Sequence, residues 1–527
     1  MMLYTIVVCD HIHQKGLKIL QNHSQINYVF AADVDKTSLL DVIKDADVCV
    51  TRSSTDIDTK FLDAAKNLKA VVRAGVGVDN VDINECSKRG VIAMNVPTAN
   101  TIAAVELTMA HLLSCVRKFP YAHNQLKNDR IWKREDWYGT ELFGKKLGVI
   151  GFGNIGSRVG TRAKAFGMDL VVYDPYISST KATDLGATYT KNFDDILTCD
   201  IITIHTPKNS ETTDIISHNE IAKMKDGVIL INCARGGLYN EDALYDGLKS
   251  GKIAMAGIDV FSKEPATNHP LLDLPNVTVT AHLGANTQES QEKIAIQAAE
   301  NAIEAALGSS YPNALNLPID ESKIPPFVKP FLDLTQKISF MLAQMDKSAI
   351  KSIKIKASGE IAEYLDSIET FACVGALTTA LGEKINYINA TYVAKERDIE
   401  VSSTVPSGSC AYKNLITIKV TTQNGVQSIS GTIFDEDVQR IVEINGFSLD
   451  IAPSGNMILF RNSDVPGVIG EVGKLLGDNN INIADFRLGR NPKGALAVII
   501  VDEEVKSDVL HKLSLLKAAI SVSYVSI

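Results

Sequence analysis

The chain has no C-x-x-C pair and no cluster of cysteines. Its eight cysteines, Cys9, Cys49, Cys86, Cys115, Cys199, Cys233, Cys373 and Cys410, are scattered over 527 residues. Scattered thiols in so long a chain argue against a disulfide framework or a cysteine-built zinc site, and they fit a cytoplasmic, reducing compartment. No metal is expected. Positive charge is not in excess either: 53 Lys and Arg against 62 Asp and Glu leave a net charge of −9. A general nucleic-acid binder would carry a basic face, so nucleic acid is not an expected partner. No apolar run reaches about 18 residues, so no membrane span is expected. The opening "MMLYTIVVCDHIHQKG" is broken at Asp10 and predicts a first strand rather than a signal peptide.

What is present is ordinary globular material, 45% hydrophobic and 22% charged. The length implies three or four domains. In the first 97 residues "TIVVCD", "ADVCVTR", "LKAVVRAG" and "VIAMNVP" alternate with helical stretches, which predicts a parallel sheet covered by helices. A long helix follows over 98–118, with Thr98 or Asn100 as candidate N-cap. A second alternating block runs through "KLGVIG", "DLVVYD", "DIITIHTP", "GVILINCA", "AMAGIDV" and "VTVTAHLG", then a second long helix over 287–307. Pro312, Pro318, Pro325, Pro326 and Pro330 crowd one short span and mark a linker over 311–329. The block 330–452 predicts helices first and strands after. The last block, 453–527, predicts strand, helix, strand, strand, helix, strand, the order of a small ferredoxin-like domain.

The stretch "LGVIGFGNIGSRVG", residues 147–160, places a glycine loop between a strand and a helix. Gly151 permits the tight turn, Gly153 admits a pyrophosphate to the backbone, and Gly156 lets helix and strand pack closely. The helix start offers free N–H groups and a positive dipole end. The next strand ends in Asp174, eighteen positions after Gly156, where a carboxylate takes the ribose hydroxyls and repels a 2′-phosphate. The expected cofactor is therefore NAD rather than NADP.

Asp174, His205, Arg235, Asp259 and His282 all fall at predicted carboxyl ends of strands, where open α/β sheets bind ligands. Dehydrogenation of an alcohol needs a base for the hydroxyl proton and a cation for the substrate's carboxylate. His282 in "VTVTAHLGAN" is the candidate base, Glu264 in "VFSKEPA" its tautomer-fixing neighbour, and Arg235 in "INCARGGL" the bidentate cation. His11, His123 and His269 lack such context and are expected on the surface.

"GVGVDNVD", "GKKLGVIGFGNIG", "INCARGGLYNEDAL", "AGIDVFSKEP" and "TAHLGANT" together resemble the NAD-dependent D-2-hydroxyacid dehydrogenases, over about residues 5–310. "VGALTTALGEKINYINATYVAKERDIEV" and "RIVEINGFSLDIAP" resemble the intervening allosteric substrate-binding domain of long family members. "ILFRNSDVPGVIGEVGKLLGDNNINIADFRLGR" resembles an ACT domain. The resemblance implies an α/β chain with two Rossmann-like, doubly wound parallel-sheet domains. The substrate-binding one would comprise 1–97 and a return segment 283–310, with a NAD-binding domain inserted at 98–282. After the linker would come an α+β intervening domain at 330–452 and a ferredoxin-like βαββαβ ACT domain at 453–527.

The implied activity is oxidation of 3-phospho-D-glycerate to 3-phosphohydroxypyruvate with NAD, the first step of phosphorylated serine biosynthesis. Arg235, Glu264 and His282 would be catalytic. Cofactor contacts would include Val76, Gly151, Gly153, Asn154, Ile155, Gly156, Asp174, Thr206, Cys233, Ala234, Arg235, Asp259, His282, Gly284 and Ala285. Substrate contacts would include Arg52, Ser53, Arg73, Gly75, Val76, Asn100, Arg235 and His282, with Arg134 of "WKRED" reaching the phosphate, from a neighbouring subunit if at all. Some relatives carry a hydroxyl residue at Val76, which affects only a side-chain contact. Asp464 and Asn482 would hold L-serine as feedback inhibitor, although Asp464 also suits an N-cap before a helix at Pro466. A homodimer through the helices at 98–118 and 287–307, and a tetramer through the tail domains, are implied. Two alternatives share the motif set: a hydroxypyruvate, glyoxylate or lactate enzyme of the same family, and a binding protein that senses NAD(H) without turnover.

Overall fold

The computed structural model describes residues 3–317, 324–382, 385–407 and 411–527. Pro318 and the middle of the proline-rich span, and Cys410, lie outside them. Among the described residues four sheets organise the chain.

The first is parallel and holds β1 (Tyr4–Val8), β2 (Ile26–Phe30), β3 (Val48–Thr51), β4 (Ala70–Arg73) and β5 (Ile92–Met94) in the order β2-β1-β3-β4-β5. Its inner strands are β-branched runs buried on both faces, as a helix-covered parallel sheet requires. The helix Gln288–Leu307 follows the second sheet in sequence but packs on this first one, burying Ile294, Ala298, Ala299 and Ala302. The Thr287 side chain caps it at Ser290 N, and Gly308 ends it at φ 68°. Its other flank meets the helix Gln14–Gln21, where a Cβ on Gly16 would lie 2.4 Å from Ala295 O, so this helix is not an outer face of the second domain.

The second sheet is also parallel: β6 (Lys146–Ile150), β7 (Asp169–Tyr173), β8 (Thr188–Thr190), β9 (Ile201–Ile204), β10 (Val228–Asn232), β11 (Ile253–Ile258) and β12 (Val277–Val279), in the order β12-β11-β10-β9-β6-β7-β8. The order reverses between β6 and β9, so the glycine loop after β6 opens at the switch point. The helix Thr101–Arg117 buries Val105, Met109 and Leu112 in this core. Asn100 sits at its cap position but makes no side-chain capping bond.

The third sheet, β13 (Ile350–Ser358), β14 (Glu400–Thr404), β15 (Leu415–Thr422), β16 (Val426–Phe434), β17 (Val438–Ile444) and β18 (Phe447–Ile451), has the order β14-β13-β15-β16-β17-β18. It departs from the expected helices-then-strands order, because β13 lies between the helices Val328–Met345 and Leu365–Leu381. Lys351, Lys354 and Lys356 point outward while Ile353, Ile355 and Ala357 are buried, a half-buried strand. The fourth, β19 (Asn456–Asn462), β20 (Ile483–Asn491), β21 (Gly494–Val501) and β22 (Ala519–Ser526), is antiparallel in the order β20-β21-β19-β22, with helices Val468–Asp478 and Ser507–Ser514. This is the expected βαββαβ unit. The helix begins at Val468 with Gly467 at its cap position, so Asp464 is not the cap.

Two junctions tie these layers together. Met457, Leu459, Leu496, Val498 and Val525 of the fourth sheet join the core of the third, while Ile458, Phe460 and Ile499 face the fourth sheet's own helices. The third layer reaches the first through Asn386, whose amide donates to Gly90 O at 2.9 Å, and through Ile388, buried in the first core. Residues 311–317, read as linker, are strapped along β5: Leu315 N donates to Ala93 O at 2.8 Å, and Asn316 Oδ1 accepts from Ala93 N at 2.9 Å.

Candidate active site

The glycine loop is built around three different needs. Gly151 has φ +83°, and a Cβ there would lie 2.8 Å from His205 O. A Cβ on Gly156 would lie 2.0 Å from Gly151 O, so only glycine lets the helix Asn154–Ala165 start so close to the turn. A Cβ on Gly153 would meet nothing within 4 Å, which leaves the backbone open on the side where a pyrophosphate would approach. No side chain caps this helix, so its first N–H groups are free for an anion. Asp174 Oδ2 accepts from Phe152 N at 2.8 Å and Oδ1 from Tyr176 N at 3.0 Å, which aims the carboxylate beside the loop. The Thr206 hydroxyl is buried without a hydrogen-bond partner among the described residues. Burial pushes the His205 imidazole down to about 3, so this neighbour brings no charge. The open glycine, the uncapped helix and the orphaned hydroxyl fit NAD.

His282 follows β12 in a left-handed turn, φ 54°. Three bonds to Asp259 hold the turn: His282 N to the Asp259 carbonyl at 2.8 Å, Leu283 N to Oδ1 at 2.7 Å, and Gly284 N to Oδ2 at 2.9 Å. Asp259 itself is wholly buried. His282 Nδ1 meets Glu264 Oε2 at 2.8 Å, leaving Nε2 free. Glu264 Oε1 accepts from Phe261 N at 3.0 Å. Burial raises the Glu264 carboxyl, but bonds from His282 and Phe261 and the charges of His282 and Arg235 outweigh it and hold it below the ordinary carboxylate range. The loop before Glu264 is clamped by Glu241, which accepts from Ser262 N at 2.6 Å and from His269 at 3.0 Å. His269 is therefore half-buried against Phe261 and structural, not a plain surface residue.

Arg235 crosses the cleft between the first two sheets: its Nε lies 3.3 Å from Asp79 Oδ2. A Cβ on Gly77 would collide with its Nη2 at 2.2 Å. Buried Asn232 shapes the 233–235 turn, donating to Arg235 O and accepting from Ala234 N. Cys233 is buried and Ala234 half-buried beside it. On the facing sheet, Arg52 N bonds Asp10 Oδ2 at 2.5 Å, and Asn80 donates to Arg52 O at 2.7 Å. Burial lowers the Arg52 guanidinium, opposed by Asp10. Burial, then the charges of Arg235 and Arg52, pull the Arg73 guanidinium down to about 10. Its Nε has no partner among the described residues, and neither has Asn100 Oδ1. Three mutually repelling arginines with an orphaned donor make a cationic cluster whose chemistry suits a polyanion.

Ser53 is exposed beside Arg52; Gly75 is buried and Val76 half-buried in the facing loop, where Asn95 donates to Val76 O at 2.7 Å. Asn154 is exposed and Ile155 half-buried at the helix start, and Ala285 is half-buried after Gly284. Arg134 lies apart from the arginine cluster, on an exposed groove with Trp132 and Arg117. Asp464 lines a cavity of about 360 Å³ with Asn462, Phe486 and Arg490, whose Nε lies 3.2 Å from Asp464 Oδ1. Asn482 is not in that cavity; its amide is on Asp502 at 2.6 Å. Asp10, Asp79, Asn80, Asn232, Glu241 and Thr280 were missed, because each acts on a residue remote in sequence or through the backbone.

No described helix is long and apolar enough to cross a membrane, and no described group of His, Cys, Asp and Glu could hold a metal ion. Residues 109–284 match the D-isomer specific 2-hydroxyacid dehydrogenase NAD binding domain, 327–445 the D-3-phosphoglycerate dehydrogenase intervening domain, and 456–520 the ACT domain. The D-3-phosphoglycerate dehydrogenase of Bacillus subtilis (strain 168) is 37% identical, covering 100% of each chain. That of Methanocaldococcus jannaschii is 38% identical, covering 96% of this chain and 97% of its own. Among solved structures, D-lactate dehydrogenase from Aquifex aeolicus complexed with NAD and lactic acid is similar at TM-score 0.53 and 27% identity, over 59% of this chain and 98% of that one. A glycine loop at the switch point of the second sheet and likeness along the full length lead to one conclusion: the chain belongs to the D-3-phosphoglycerate dehydrogenase family.

Proposed function

We propose that the protein oxidises 3-phospho-D-glycerate to 3-phosphohydroxypyruvate with NAD, and the reverse. The observation that carries this reading is the convergence of Arg52, Arg73 and Arg235 on one cleft beside the His282–Glu264 pair. The loop Gly151–Gly153–Gly156 with the helix start would hold the pyrophosphate of NAD and Asp174 its ribose, and NAD held there would supply the hydride acceptor for the alcohol carbon. Arg235 grips the substrate carboxylate and polarises the neighbouring oxygen. Arg52 and Arg73 hold the phosphate. His282 Nε2 takes the hydroxyl proton, and the Glu264 carboxylate at Nδ1 stabilises the imidazolium that results. In reduction the imidazolium returns the proton to the carbonyl oxygen. NADH consumption with 3-phosphohydroxypyruvate tests this: the wild type turns over, His282→Ala loses activity by roughly a hundred-fold or more, and an equally active His282→Ala would refute the assignment.

Regulation by L-serine fits the cavity at Asp464, where Asp464 offers a carboxylate to an amino group and Arg490 a cation to a carboxylate. Self-association as a dimer, through the outer face of Thr101–Arg117, is supported by the apolar groove it shares with exposed Phe119, Leu126, Ile131 and Trp132. A partner docked there would carry Arg134 with it. A tetramer would add contacts between tail domains. The seven described cysteines are all free and buried, in keeping with a cytoplasmic setting.

A further inference from the structure

A hydrogen-bonded chain leads from the interior of the second domain to the turn that carries His282. His111, buried on the helix Thr101–Arg117, places Nε2 at 2.8 Å from the Thr280 hydroxyl and Nδ1 at 3.2 Å from the Thr278 hydroxyl. Thr280 in turn lies 2.5 Å from Asp259 Oδ1. The direction of these bonds follows from proton counting. A carboxylate only accepts, so the single Thr280 proton goes to Asp259, and His111 Nε2 must donate to the Thr280 oxygen. The ring therefore carries its proton on Nε2 and can only accept at Nδ1, where the Thr278 hydroxyl at 3.2 Å is shared with the Ala256 carbonyl at 3.4 Å. The Cys115 thiol, 3.4 Å from the Thr278 oxygen, extends the chain inward. Burial, opposed by the Asp259 charge, holds the His111 imidazole below its ordinary range, which keeps it neutral as this pattern requires. The neighbouring strand makes room for the ring: a Cβ on Gly257 would come 2.9 Å from His111 Cβ.

We infer that His111 is a positioning residue for His282, acting through Thr280 and Asp259 on the left-handed turn at 282–284. Asp259 Oδ1 is shared by the Thr280 hydroxyl and Leu283 N, and Oδ2 holds Gly284 N. Loss of the His111 donor frees the Thr280 hydroxyl to turn away, and the buried carboxylate loses the bond that sets its plane. His282 then has a non-glycine positive φ to maintain with one restraint fewer. The inference rests on the reading of His282 as the proton-transfer group.

Four variants test it together: His111→Gln, His111→Leu, Thr280→Val and His282→Ala, each measured for kcat, KM for NADH and melting temperature. Gln keeps an N–H that reaches Thr280, so His111→Gln should stay within about three-fold of the wild type. His111→Leu and Thr280→Val should lower kcat roughly ten- to a hundred-fold, with KM for NADH within about three-fold. Thr280→Val preserves shape and serves if the leucine variant fails to fold. Wild-type kcat in Thr280→Val, or activities that follow melting temperature with no rescue by Gln, would overturn the positioning role. Retained activity in His282→Ala would instead overturn the proton-transfer reading itself.

Discussion

Replacing Glu264 by glutamine removes one charge and keeps the side chain's shape. The partner is His282, with Nδ1 at 2.8 Å from Oε2, and the two side chains are 36% and 48% exposed. Unit charges about 4 Å apart interact by about 1 kcal/mol in bulk water and about 4 kcal/mol at an effective dielectric of 20. Exposure on both sides discounts the pair toward the lower figure, about 1.5 kcal/mol, or about one pH unit. The sign follows from linkage. Burial alone would raise the Glu264 carboxyl; the bonds and charges around it hold it below its ordinary range. The pair's stabilisation is thus present above the free carboxylate pKa and is lost as pH falls through the depressed one. Above that range the carboxylate is charged and faces the ring that handles the proton. In Glu264→Gln that charge is gone, so kcat for NADH oxidation at neutral pH should fall about ten-fold or more, and the variant's stability deficit should shrink as pH falls through the depressed Glu264 carboxyl. The assay is kcat at neutral pH together with melting temperature from about pH 7 down to about 3. A kcat within about two-fold of the wild type, or a stability deficit that grows as pH falls, would refute the reasoning.

Gly156→Ala places a methyl 2.0 Å from Gly151 O, so the loop or the helix start must move by about 1 Å or more. NADH affinity, read by fluorescence titration, should fall about ten-fold or more, and an unchanged Kd in a folded variant would contradict the cradle. Arg73→Gln should raise KM for 3-phosphohydroxypyruvate by about ten- to a hundred-fold and spare the Kd for NADH; equal KM values would remove Arg73 from the phosphate site. Leu459→Ala, at a residue only 3% exposed in the core shared by the third and fourth sheets, should cost about 2–5 kcal/mol. Hydrogen exchange should then rise in the helix Val328–Met345 as well as in β19; a rise confined to the fourth sheet would deny the shared core. Millimolar L-serine should lower activity, and Asp464→Ala should remove that response; no change in wild-type activity or stability would end the regulatory proposal.

The parts legible in the sequence are local. Gly151, Gly153 and Gly156 sit within one turn, and each strand of the second sheet ends beside a polar residue, so the loop and the His282–Glu264–Arg235 set stood out by position. β2 escaped because Tyr28 and Val29 are half-buried and Phe30 is exposed, which breaks the alternation at a sheet edge. β8 is three residues long. The lysine and isoleucine alternation of β13 is legible, but it was masked by helical stretches on either side. Contacts across distance were not legible at all. His111 and Thr280 are 169 residues apart, Asp10 and Arg52 are 42 apart, and the joining of two tail sheets depends on which face of β19 turns outward. Asn482 and Asp464 looked paired by motif, yet within one chain they occupy separate surroundings.

The central claim is a phosphate-reading dehydrogenase, and the most direct test is NADH consumption with 3-phosphohydroxypyruvate against hydroxypyruvate under the same conditions. Two charge-assisted contacts from Arg52 and Arg73 predict a preference in kcat/KM of about a hundred-fold or more for the phosphorylated acid, collapsing in Arg52→Ala. Equal turnover of the two acids would contradict the account: the proton-transfer chemistry would stand, and the arginine cluster would not be a phosphate site.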